Sequence, residues 1–72
     1  MNVAEKHYLI SRITADIVMF GNQIKEASTE SNGPISDVRR DNLNILMCER
    51  SASIRALAWV LELIDEMTQE AT

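Results

Sequence analysis

Ser28-Thr29-Glu30-Ser31-Asn32-Gly33-Pro34 is the stretch that decides the architecture. Asn-Gly-Pro cannot extend a helix, because Pro34 has no amide hydrogen to donate and its ring pushes Gly33 out of the helical region. Turn formers gather nowhere else. The chain has 2 Gly and 1 Pro in 72 residues, and the other glycine, Gly21, stands alone. Both flanks read as helix. The expected fold is all-α, a two-helix antiparallel hairpin, since so short a connection makes consecutive helices neighbours. One helical-hairpin domain is expected over 1–72.

Upstream of the turn, Asn2 is placed to cap a helix, with Glu5 three residues on to reach back to it. Val3, Ile10, Ile17 and Ile24 form one row, and Ile13, Phe20 and Ala27 a second, broken only by Lys6. The rows alternate in steps of four and three, the seam of a coiled coil. This predicts a helix over 3–28. Gly21 inside it costs about 1 kcal/mol relative to Ala, and close packing against a neighbouring helix beside Phe20 is the expected reason.

Downstream, the turn is expected over 29–35, with Ser36 or Asn32 as the next cap and Asp37 at the positive helix end. The second helix is predicted over 36–69. Its seam runs through Leu43, Leu46, Leu57, Val60, Ile64 and Met67, interrupted by Arg50 and Ser53. A bend is expected at Ser51-Ala52-Ser53, where serines can bond back to the chain. Residues 54–64 are apolar on nearly every side, and a helix apolar all round is buried all round. The first helix is expected to cover Leu57, Val60 and Ile64, leaving Ile54, Trp59, Leu61 and Leu63 in need of another surface. Ile54, Leu57, Trp59, Leu61, Leu63 and Ile64 are therefore the expected oligomer interface. Predicted lengths of about 39 and 51 Å leave the second helix overhanging by about two turns. The first helix carries a weaker second stripe of Tyr8, Ala15, Val18 and Met19. Two apolar faces per helix suit a four-helix or larger bundle, so a homo-oligomer is expected, a symmetric dimer first.

Composition points the same way. An apolar share of 46% is too high for a disordered chain. A chain this short buries only about 60% of its unfolded surface. Cys48 is the single cysteine and His7 the single histidine, so neither a disulfide within the chain nor a zinc site of about four ligands can reinforce it. Self-association remains. The net charge of −4 opposes a nucleic-acid binder, which would carry a basic footprint. It also opposes adsorption on anionic membranes. Residues 54–64, with Arg55 and Glu62 inside, are too short to span a bilayer, which takes about 20 residues. The first seven residues hold no apolar export core, and with one free thiol the expected compartment is a reducing cytoplasm.

Three groups could carry chemistry. Lys25, Arg39 and Arg40 form a basic patch beside the turn, able to meet a phosphate, an acidic partner or nucleic acid; Glu26, Glu30, Asp37 and Asp41 stand ready to neutralise it. Folding about residues 32 and 33 sets position i against roughly 65 minus i. That puts Arg12, Arg50 and Arg55 within about two turns of one level, with Tyr8, His7 and Ser11. Arginine suits bidentate carboxylate or phosphate contacts, so Tyr8, Arg12, Arg50 and Arg55 are the candidate site for a small anion or nucleotide at a subunit interface. Ion pairing, Arg12 with Asp16 and Arg50 with Glu49, is the plainer use. The third group, the acidic run Glu62, Asp65, Glu66 and Glu70, reads as a solvated face. No catalytic arrangement accompanies His7, expected on the helix surface, or Cys48, expected to be a buried inert thiol, so neither an enzyme nor a cofactor is expected. The expected role is a small protein-interaction module, of adaptor, inhibitor or co-chaperone type as in phage or plasmid accessory factors, docking on a larger protein. The anionic-ligand oligomer is the alternative.

Overall fold

A computed structural model describes residues 2–70, with side chains through Met67. It is an all-α hairpin of two packed helices, α1 at Val3–Ser31 and α2 at Asp37–Glu70. Asn2 caps α1, its side-chain oxygen accepting from the Glu5 amide at 2.8 Å. The Glu5 carboxylate in turn accepts from the Asn2 side-chain amide at 2.7 Å, a variant of the expected reciprocal cap. At the start of α2, Ser36 does the capping, accepting from the Arg39 amide at 3.2 Å.

Helix α1 continues three residues past the predicted end, through residues that favour turns. Tertiary contacts hold that extra turn. The Glu30 carboxylate takes both an Nε and an Nη2 hydrogen bond from Arg39, the latter at 3.1 Å. Arg40 donates to the Ser31 carbonyl at 3.2 Å and to the Gly33 carbonyl at 3.4 Å. Thr29 bonds back to the Lys25 carbonyl at 3.0 Å. The amides of Asn32 and Gly33 then close the helix on Ser28 and Glu30. A side chain at Gly33 would press on the Glu30 carbonyl at 3.3 Å, so this closure favours glycine without a left-handed backbone.

The longer α1 shortens the expected overhang. The helices have 29 and 34 residues, a difference of about 7.5 Å, or less than two turns. Helix α2 runs unbroken through Ser51-Ala52-Ser53, although Ser53 does bond back to the Glu49 carbonyl at 3.1 Å.

The two predicted seams face each other. Ala27, Leu43 and Ile64 are buried. Ile10, Ile13, Ile17, Phe20 and Ile24 of α1 are half-buried, as are Leu46, Leu57 and Val60 of α2. The seam frays at its open end, where Val3 and Met67 are exposed. Gly21 is not a close-packing site within the hairpin, since a methyl group added there would meet nothing within 4 Å.

Candidate docking surfaces

The expected oligomer residues divide between two environments. Ile54, Leu57, Leu61 and Leu63 are half-buried and Ile64 is buried within the single chain. One neighbouring helix thus shelters more of residues 54–64 than a narrow stripe would suggest, because side chains flanking the seam also lie along its partner. Trp59 is different: it is 61% exposed.

Trp59 belongs to a row that the sequence reading missed. Val38, Ile45, Ala52 and Trp59 lie seven apart on α2, and all are exposed, Val38 at 71% and Ile45 at 57%. The seven-residue spacing is present in the sequence, but Ala52 is small and sits between the serines of the expected bend. Residues seven apart on an α-helix share a face. On α1, Tyr8, Ala15, Val18 and Met19 form the second exposed stripe, with Tyr8 at 68%. Beside it, Ala4, Glu5, Tyr8 and Leu9 line a shallow apolar groove near the open end.

The total accessible surface is 5415 Å² for a chain of 8.1 kDa. A folded monomer of that mass exposes about 4500 Å², so the hairpin carries a surplus of about 900 Å².

The basic patch is largely committed to holding the turn. Arg39 grips Glu30, and that hydrogen bond pulls the Glu30 carboxyl below its ordinary range and raises the Arg39 guanidinium further. Arg40 spans Ser31, Gly33 and Asp37, leaving Lys25 exposed.

The structure does not bring Tyr8, Arg12, Arg50 and Arg55 together within one chain. Arg39 meets Glu30 and Arg50 meets Gln23, pairs whose numbers add to 69 and 73 rather than 65. The turn is centred later than expected because α1 reaches Ser31. Arg12 is therefore level with residues 57–61 and Arg55 with residues 14–18. Arg50 lies in the seam, half-buried, donating to the Gln23 side-chain oxygen at 2.7 Å with its guanidinium 5.6 Å from the Phe20 ring centroid. Neither Glu49 nor an anion is needed to explain an arginine so placed. Arg12, Arg55 and His7 are exposed.

Cys48 is exposed. No three His, Cys, Asp or Glu side chains among the described residues are placed to hold a metal ion. No helix is long and apolar enough, within those residues, to cross a membrane. Glu62, Asp65 and Glu66 lie along the outside of α2, and the Glu70 side chain falls outside the described set.

Compared with protein families, curated proteins and solved structures, the chain matches none. The functional reading therefore rests on its own residues.

Proposed function

We propose that this chain is a non-enzymatic helical interaction module that assembles with itself and docks on a larger protein. One observation carries the reading. Among the described residues nine large apolar side chains are exposed, while two, Leu43 and Ile64, are buried. Scattered surface hydrophobics are ordinary, but contiguous apolar rows mark interaction sites. Here they are aligned and not scattered: Val38, Ile45, Ala52 and Trp59 recur every seven residues on one face of α2, and Tyr8, Ala15, Val18 and Met19 share a face of α1. Two rows on two helices supply one face for self-association and another for a partner. Residence in the cytoplasm accords with the single exposed thiol.

The α1 stripe is the proposed docking face for the larger protein, with Tyr8 as anchor, since aromatic residues dominate interface energetics. Val18→Asp should leave the hairpin folded, because Val18 is 57% exposed. Wild-type and Val18→Asp baits are compared in pull-downs from host lysate, and captured proteins are identified by mass spectrometry. A protein retained by wild type and lost by the variant is the expected result. Identical retention by both would overturn this assignment of the face.

A further inference from the structure

The exposed row on α2 has a companion. Three residues beyond each of Val38, Ile45, Ala52 and Trp59 come Asp41, Cys48, Arg55 and Glu62, all exposed. Together the two rows mark one exposed face of α2, with apolar and mostly charged positions alternating at three-and-four spacing. Asp41 and Arg55 have no ion-pair partner among the described residues. Each stands seven residues from Cys48, an acid on one side and a base on the other.

We propose that a second copy of the chain packs antiparallel on this face of α2, about a twofold axis passing beside Cys48. Asp41 and Arg55 favour the antiparallel over the parallel arrangement. Antiparallel pairing about Cys48 sets Asp41 of each copy against Arg55 of the other, twice. A parallel pair in the same register would set Asp41 on Asp41 and Arg55 on Arg55, and like charges across an interface are repulsive. Bulk agrees with charge. The same axis lays Ile45 on the small side chains of Ser51 and Ala52 in the second copy, and Val38 beside Ala58 and Trp59. The α1 stripe stays outside, so the dimer presents two copies of it, one on each flank. This inference rests on the proposed interaction-module reading and names the partner for one of its two faces.

The test uses the whole chain. Sedimentation equilibrium of the reduced wild type should give twice the monomer mass, and mild diamide oxidation should trap that dimer through Cys48. Arg55→Glu sets two acids against each other at both ends. It should weaken the dimer at least about tenfold, with helical circular dichroism retained because residue 55 is exposed. Asp41→Arg combined with Arg55→Glu should restore both mass and cross-linking. A reduced protein that stays monomeric overturns the proposal, as does a dimer that neither cross-links at Cys48 nor responds to the charge swap. A monomer that still captures a Val18-dependent protein separates the two ideas, leaving the α1 docking face intact while the dimer fails.

Discussion

Three residues show how single side chains divide between fold and surface. Gly21 lies mid-helix with open space where a methyl group would sit and no unusual backbone angle. Gly21→Ala should therefore gain up to about 1 kcal/mol, which for a chain of this size raises the melting temperature by up to about 4–8 °C. A calorimetric melt that falls would mean the glycine is needed by a contact outside the hairpin. Arg50 breaks the apolar seam in sequence, yet it fills the seam in space by lying over Phe20 and bonding Gln23. Glu30 latches the end of α1 to the start of α2. Its carboxyl is held below the ordinary range in the folded chain by the Arg39 hydrogen bond. A depressed folded-state value means the contribution is present above the unfolded-state value and fades as pH falls through the folded one. Glu30→Gln should thus melt slightly below wild type at neutral pH, and the two curves should converge in acid. A gap that persists after the carboxylate is protonated would point to lost geometry instead of lost charge. The effect is small because both partners are solvated.

At the scale of the element, α1 and α2 each carry a half-buried seam and an exposed apolar row. Leu61 and Trp59 test the distinction, because they are neighbours in sequence on different faces. Leu61 is half-buried toward the seam, whereas Trp59 is exposed. Leu61→Asp buries a carboxylate against apolar neighbours and should remove most of the helical signal at 25 °C, in a hairpin with only a few kcal/mol to lose. Trp59→Asp should keep the helical signal and lower only the associated mass. Circular dichroism with light scattering on both variants checks this; equal loss of helicity in the two would show that the faces are not separable. The sequence made the seam of each helix plain, since rows of Ile and Leu three and four apart admit few other readings. It concealed the outward row on α2 because Ala52 and Cys48 are weakly apolar and Asp41 and Arg55 are charged. Such a row looks like ordinary surface until exposure shows that it all lies on one side.

At the scale of the molecule, the hairpin is long and thin. Its extents are 54 × 16 × 12 Å and its radius of gyration is 16.5 Å, against about 11 Å for a compact chain of this length. A body two helices wide encloses little interior, and among the described residues only Ala27, Leu43 and Ile64 are buried. That shape also explains why Tyr8, Arg12, Arg50 and Arg55 do not converge within one chain. On a rod, residues converge only if they share both a level and a face. The later turn carries Tyr8 away from the level of Arg50, and Arg50 lies in the seam while Arg12 and Arg55 are exposed.

The residues alone determined that there would be two helices, where they break, and which stripes would meet. These follow from local chemistry: a proline without a donor, caps at the right positions, and apolar rows at helical spacing. Tertiary structure decided the last turn of α1, the register between the helices, the employment of Arg39, Arg40 and Arg50, and which apolar residues remain uncovered. Those outcomes depend on contacts between residues far apart in the chain, and spacing along one helix carries no information about what lies across from it.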